Sequence, residues 1–233
     1  MKKIGILFAM KEEIDAFLKQ VDLKNKFEIF DLTFYECNLN SLNCVLVECG
    51  IGKVNAARSA QIMIDNMKVD YIFNVGVAGG VSDKIDICDI VIGDKLVQHD
   101  FDLTGFNHEK GYIPNVGKFI YPDEFLIKIA MDNSEGLKIH KGVIASGDIF
   151  VTEETMSNKI NNKFGALCVE MEGASIAQVC YLSHIPFLII RSISDSPKKG
   201  NNKVSFDEFV KDSSDLIALF MKRILESLNE IED

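Results

Sequence analysis

The sequence predicts an α/β fold, a central mixed, mostly parallel β-sheet flanked by α-helices. Three observations carry that reading. Short apolar runs at residues 4–9, 71–75, 166–169 and 187–190 are bounded by segments of helical spacing, the pattern of buried parallel strands. Runs of this kind alternate with helical segments along the whole chain, as layered α/β architecture requires. At 233 residues the chain is long enough for a sizeable core, and no repeat or linker divides it, so one domain over 1–233 is expected.

The elements follow in order. Residues 4–9 form the first strand, and residues 12–19 a helix through Ile14, Phe17 and Leu18. Three β-type runs come next, at 27–30, 34–38 and 44–48, with Asn40, Ser41 and Asn43 giving a hairpin signal between the last two. Residues 52–67 place Val54, Ala57, Ala60, Ile64 and Met67 on one helical face. The strand at 71–75 gives way to Gly76-Val77-Ala78-Gly79-Gly80, where the chain is expected to turn. Residues 88–97 are a further β-type run. Residues 98–120 show little periodicity, and an unstructured stretch of that length in a compact domain is usually functional. A helix at 124–131, a strand at 138–145, a weak helix at 153–160, a strand at 166–169, a helix at 175–182 and a strand at 187–190 complete the alternation. Residues 195–203 read as a flexible polar loop. Ser205-Phe206-Asp207-Glu208 reads as a capping box with Ser205 at the N-cap. The last helix then carries Phe209, Leu216, Phe220, Ile224 and Leu228 on one face.

Composition narrows the function. A net charge of −10 argues against nucleic acid as a partner, because phosphate-backbone binders are usually basic. No apolar run reaches the roughly 18 residues of a membrane span, and Lys11-Glu12-Glu13 cuts off the first apolar stretch without a signal-peptide cleavage pattern. Cysteines 37, 44, 49, 88, 168 and 180 show neither CxxC spacing nor a zinc-like offset from a histidine. They read as free thiols, which fits a cytoplasmic location without a bound metal.

The chemistry concentrates where acids stand at the ends of apolar runs. Glu170 and Glu172 follow the run at 166–169, and Asp195 follows the run at 187–190. Ligands in open α/β sheets bind beyond the carboxyl ends of such strands, so Glu172 and Asp195 are expected at one rim. In an extended segment Glu170 and Glu172 point the same way, with Met171 opposite. A carboxylate can accept hydrogen bonds from two neighbouring ribose hydroxyls. Asp195 is either a turn residue, as Asp-Ser-Pro often is, or a proton donor with a raised pKa. Glu13 near the start of the first helix serves the helix dipole or a reaction. Arg191, near Asp195, is either half of a structural salt bridge or part of the site. Phe150 is a core residue or a platform for a flat base. His99 beside Asp100 is read as a loop residue.

Two glycine-rich pieces have both a turn reading and a binding reading. Gly50-Ile51-Gly52-Lys53 lacks the spacing of a P-loop and the third glycine of a dinucleotide fold, so it reads as a strand-to-helix turn. The backbone of Gly76–Gly80 offers N–H groups to an anion or a sugar, or simply turns the chain.

Taken in order, Ala9-Met10-x-x-Glu13, Gly50-Ile51-Gly52-Lys53-Val54, Asn74-Val75-Gly76-Val77-Ala78-Gly79-Gly80, Ser146-Gly147-Asp148-x-Phe150, Val169-Glu170-Met171-Glu172 and Arg191-x-Ile193-Ser194-Asp195 closely resemble the bacterial 5′-methylthioadenosine/S-adenosylhomocysteine nucleosidases of the nucleoside phosphorylase superfamily. The resemblance runs from residue 4 to about residue 225 and implies a nucleoside phosphorylase-like fold. It implies hydrolysis of the N-glycosidic bond of 5′-methylthioadenosine, S-adenosylhomocysteine and 5′-deoxyadenosine, with no cofactor. By that resemblance Asp195 protonates N7 of the leaving adenine and Glu13 activates the attacking water. Glu172 binds the ribose hydroxyls, with Glu170 nearby and Met171 against the sugar. Phe150 stacks on the base, and the backbone of Val151 reads its edge. Val77, Ala78 and Gly79 line the site, and Arg191 and Ser194 support the catalytic carboxylates. Met10, Ile51 and Phe206 match an apolar alkylthio pocket. Leu103, Phe106 and Pro114 match positions that cross into a neighbouring subunit's site, which implies a homodimer. Three departures stand out: Val77 where many members carry a hydroxyl residue, Lys11 where an acidic one is common, and Phe8 where a small one is frequent.

Three alternatives follow. A purine nucleoside phosphorylase needs cations around phosphate, yet Arg58 is the only arginine in the first half of the chain. A futalosine-type nucleoside hydrolase differs in a bulkier 5′ group. A non-catalytic nucleoside-binding module would not need both Glu13 and Asp195.

Overall fold

A computed structural model describes residues 2–196 and 202–232, without the side chains of 202–208 and 232. The strands are β1 (Lys3–Phe8), β2 (Asp22–Ile29), β3 (Leu32–Leu39), β4 (Leu42–Glu48), β5 (Tyr71–Gly80), β6 (Ile90–Gln98), β7 (Ile139–Ser146), β8 (Ala166–Glu170) and β9 (Phe187–Asp195). The helices are α1 (Lys11–Leu18), α2 (Lys53–Ile62), α3 (Glu124–Asp132), α4 (Glu154–Phe164), α5 (Gly173–Ser183) and α6 (Asn202–Glu232). A π-helical turn, Met63–Met67, extends α2.

All nine strands join one sheet in the order β2-β3-β4-β1-β5-β8-β7-β6-β9, and β9 also pairs with β5. That return closes β5, β8, β7, β6 and β9 into a ring, leaving β1 to β4 as an open extension. The sheet is mixed: β1–β4, β1–β5, β5–β9, β6–β7 and β7–β8 are parallel, while β2–β3, β3–β4, β5–β8 and β6–β9 are antiparallel. The expected fold class therefore holds, and the sheet is partly closed on itself.

The period-2 alternation of a strand explains how one sheet serves two helical layers. Ile4, Ile6 and Phe8 of β1 pack with α1, α3 and α6, through residues such as Phe17, Leu126, Phe220 and Leu228. Leu7 between them faces the layer of α2 and α5, with Ala60, Met63, Ile176 and Ala177. A smaller cluster seats Ile160 and Phe164 of α4 on Ala145, Ala166 and Val169.

Four local expectations are corrected. Residues 76–80 do not turn; β5 continues to Gly80 because β9 pairs along its length and β8 pairs at its end. β9 likewise runs to Asp195, so Asp195 ends a strand and does not open a loop. The stripe assigned to α2 is rotated: Ala56, Ser59, Ala60 and Met63 are buried, whereas Val54 is exposed. Single-face spacing alone does not decide between helix faces when small residues lie on both. Finally, α6 begins at Asn202, so Ser205 lies within the helix and not at its N-cap. Of the loop expected at 195–203, residues 197–201 lie outside the described residues.

All six cysteines are free, and only Cys88 is exposed. Burial holds the Cys168 and Cys180 thiols well above their ordinary value, so they stay protonated. Among the described residues no helix is long and apolar enough to cross a membrane, and no cluster of ligating side chains suits a metal ion.

Candidate active site

Glu13 is the third residue of α1, close to the end of β1. Its side chain reaches back to the start of its own helix: Oε2 accepts from the backbone N–H of Ala9 at 2.8 Å and of Met10 at 3.0 Å. Oε1 accepts from the N–H of Val77 on β5 at 2.9 Å. The carboxylate is only 2 % exposed. Burial raises its pKa, while the Arg191 charge and the three N–H donors oppose that rise. Glu13 thus serves more than the helix dipole, since it bridges α1 to the central strand.

Asp195 ends β9 opposite Gly79 of β5. Ser194 Oγ donates to its Oδ1 at 2.9 Å, and among the described residues its buried Oδ2 has no hydrogen-bond partner. Burial pushes its pKa up from 3.8 to about 6, with the Ser194 hydrogen bond pulling the other way. A carboxyl group in that range can carry a proton near neutral pH and give it up.

The glycines of β5 make room for both acids. A β-carbon on Gly76 would stand 2.5 Å from Glu13 Oε1, and one on Gly79 would stand 3.1 Å from Asp195 Oδ2. Glycine inside a strand marks a close approach, and here the two approaches are three residues apart, about 10 Å along the strand. Glu13 therefore packs against Gly76 and Asp195 against Gly79, three residues farther along β5.

Glu172 stands beyond β8 at the N-cap of α5. Its Oε1 accepts from the N–H of Gly52 at 2.8 Å. Gly52 sits at φ +102° in the strand-to-helix turn after β4, a conformation that glycine tolerates, with Gly50 at +79° before it. Burial raises the Glu172 pKa, and the neighbouring Glu170 charge adds to it.

Glu170 differs from the expectation of a ligand-facing pair. β8 ends at Glu170, so the alternation does not extend to Glu172. Glu170 Oε2 is paired with the Arg191 guanidinium and accepts from the N–H groups of Glu172 at 3.1 Å and Gly173 at 2.7 Å. Its Oε1 accepts from Ser146 Oγ, whose oxygen in turn accepts from Ala174 N–H at 2.7 Å. A carboxylate so fully used, at the N-terminus of a helix that favours negative charge, has nothing left for a sugar. Glu170 is a buried counter-ion.

Arg191 lies in the middle of β9, fully buried, and its salt bridge is to Glu170, not to Asp195. It also donates to Asn74 Oδ1 and, at 3.1 Å, to Asn74 O. Its charge still lowers the pKa of Glu13 and Glu172 through space. Asn74 completes this unit by donating to Leu7 O at 3.0 Å, tying β5 to β1. The sequence singled out no role for Asn74; its one signal was an amide inside an apolar strand. Ser146 was signalled no better, since a serine at a strand end is common.

The remaining expected residues fall as follows. Phe150 is 47 % exposed, so it is no core residue, while Val151 beside it is buried. Val77 and Ala78 are buried, and Gly79, Met10 and Met171 are half-buried. Ile51 is exposed beside the Gly50–Gly52 turn. Phe106 is 77 % exposed on a short 3-10 turn, Thr104–Phe106, with Pro114 exposed and Leu103 half-buried. The side chain of Phe206 lies outside the described residues. His99 is buried against Gly147, more enclosed than a loop residue, and burial lowers its pKa.

The chain is similar to known proteins over nearly its whole length. The profile of the phosphorylase superfamily matches residues 3–228. A 5′-methylthioadenosine/S-adenosylhomocysteine nucleosidase of Geobacillus sp. (strain WCH70) is 38% identical over 223 residues, 92% of this chain and 96% of that protein. An aminodeoxyfutalosine nucleosidase of Campylobacter jejuni is 38% identical over 231 residues, 98% of this chain and 100% of that protein. The crystal structure of the Helicobacter pylori 5′-methylthioadenosine/S-adenosylhomocysteine nucleosidase, complexed with a substituted pyrrolidin-3-ol, superimposes with a TM-score of 0.93 at 34% identity, covering 97% of this chain and 98% of that one. A likeness of this extent, in sequence and in fold, places the chain in the phosphorylase superfamily and, within it, in the family of 5′-methylthioadenosine/S-adenosylhomocysteine nucleosidases.

Proposed function

We propose that this protein hydrolyses the N-glycosidic bond of 5′-methylthioadenosine and S-adenosylhomocysteine, and of 5′-deoxyadenosine, acting as one domain over its 233 residues. The observation that supports the proposal is that two buried acids with raised pKa meet the same strand, Glu13 at Gly76 and Val77 and Asp195 at Gly79. Asp195, protonated, gives its proton to N7 of adenine as the C1′–N9 bond breaks. Water bonds to C1′ and loses its proton to Glu13, so adenine and the 5-substituted ribose leave. The sugar passes through an oxocarbenium-like state, which anionic Glu13 stabilises. General-acid help at the base contributes about 10² to 10⁴ in rate. Glu172 accepts from the ribose hydroxyls, with Met171 against the sugar. Phe150 and Val151 hold the base, and Met10 and Ile51 line the 5′-alkylthio pocket. The reaction uses no cofactor or metal.

The long segment after β6 supports a homodimer. Phe106 and Pro114 are exposed on it, as are Ile51 and Val54 beside the site, and apolar side chains so placed suit a partner's surface. Leu103, Phe106 and Pro114 complete the neighbouring subunit's pocket. The net charge of −10 leaves nucleic acid out of the reading, and free buried thiols fit the cytoplasm.

A phosphorylase reading finds little support. Arg191 is committed to Glu170, Arg58 to Asp31, and Lys53 to Asp100. A larger 5′ group is the one variant with its own observation, the similarity to an aminodeoxyfutalosine nucleosidase at equal identity. The test is adenine release in phosphate-free buffer, comparing 5′-methylthioadenosine, S-adenosylhomocysteine, 5′-deoxyadenosine and a futalosine-type nucleoside. Strict dependence on added phosphate overturns the hydrolase.

A further inference from the structure

The turn that holds Glu172 and the segment that carries Phe150 are joined by a closed ring of hydrogen bonds. The backbone N–H of Lys53, next to Gly52, donates to Asp148 Oδ1 at 2.8 Å. The backbone N–H of Asp148, two residues before Phe150, donates to Asp100 Oδ2 at 3.0 Å. Lys53 Nζ then donates to Asp100 Oδ1 at 2.7 Å, which closes the ring. The same ammonium donates to Gln98 Oε1 at 3.1 Å, and the Gln98 amide donates to Gln178 on α5 at 2.7 Å.

From this ring we infer that Lys53 and Asp100 are positioning residues that set the spacing between the ribose subsite at Glu172 and the base subsite at Phe150. The inference rests on the nucleosidase reading of the site. Three features carry it. First, the ring ties the start of α2, which belongs to no strand, to the segments that follow the paired ends of β6 and β7. Second, the ion pair is largely enclosed, with side-chain exposures of 17% and 20% for Lys53 and Asp100, so water screens it less than a surface pair. Burial pushes the Asp100 carboxyl up, yet the Lys53 ammonium and the Asp148 N–H outweigh burial and hold it below its ordinary range. Third, the ring lies within two residues of a binding group on each side. Gly52, which holds Glu172, precedes Lys53, and Phe150 follows Asp148 by two residues.

A nucleoside engages both subsites at once, and its affinity depends on their spacing; adenine engages only one. Lys53→Met is therefore expected to raise KM for 5′-methylthioadenosine by about tenfold or more while kcat changes by less than about threefold. Inhibition by free adenine should stay within about twofold of the unaltered protein, and Lys53→Arg should recover most of the loss. Asp100→Asn, which keeps the size of the side chain, serves as the second variant. If the ring acts as a unit, the double variant is no worse than the poorer single one. An unchanged KM in both single variants overturns the inference. So does a parallel loss of nucleoside binding, adenine binding and thermal stability, because that pattern belongs to a merely structural ion pair. Failure of the unaltered protein to cleave any of the nucleosides overturns the activity first and the inference with it.

Discussion

Gly76 and Glu13 fit together so closely that a single added methyl group at Gly76 would overlap the carboxylate, its carbon 2.5 Å from Oε1. Gly76 and Gly79 are thus required by the acids packed against them, not by backbone conformation, since neither has a positive φ.

Gly76→Ala should leave β5 paired and Glu13 displaced. A shift of about 1 Å in a reacting group costs on the order of 10² in rate, so kcat/KM should fall by about that factor with a modest change in Tm. Steady-state kinetics beside a thermal melt check it. Undiminished kcat/KM would remove Glu13 from the reaction.

Asp195 predicts a pH limit. Its proton is needed for leaving-group departure, and burial sets its pKa at about 6 in the free protein. The kcat/KM profile should therefore fall as pH rises through about 6, roughly tenfold per unit. Stability has the same sign. A carboxyl whose folded pKa is raised binds its proton more tightly in the folded state, so its contribution is complete below the unfolded value and is lost as pH rises through the folded one. Between pH 3.8 and about 6 that loss is roughly 2–3 kcal/mol. Asp195→Asn should abolish turnover and raise Tm above pH 6 relative to the unaltered protein. A Tm difference independent of pH would contradict the assignment.

The Glu170–Arg191 pair predicts a large stability effect. Removing one charge of a buried pair leaves the other uncompensated, at a cost of about 3–5 kcal/mol. Glu170→Gln should lower the denaturant midpoint accordingly. A raised KM with unchanged stability would restore Glu170 as a sugar ligand.

Phe150 predicts the opposite pattern. Because it is half exposed, Phe150→Ala should barely change Tm. Losing a stacked ring costs roughly 0.5–1.5 kcal/mol of binding beyond area, so KM should rise about two- to tenfold. An equal KM for the variant would leave the base without this platform.

Local patterns in the chain made most of the architecture legible. Apolar runs and helical spacing located the strands and helices, with boundaries moved by a few residues at β6, α4 and α5. What misled was local chemistry read without its neighbours. Gly76–Gly80 carries turn residues, yet it is a strand because β9 and β8 supply hydrogen-bond partners on both edges. Glu170 and Glu172 look equivalent two residues apart, yet the strand ends between them and Arg191 claims the first. The sequence contained an acid at 13, an acid at 195 and glycines at 76 and 79, and motif order alone was enough to name the family. It took the pairing of β5 with β9, and the packing of α1 against β5, to bring both acids against the same strand. Contacts between residues such as Glu13 and Val77 depend on which strands become neighbours, and neighbours in a sheet are chosen by burial of the whole core, which no short stretch of sequence encodes.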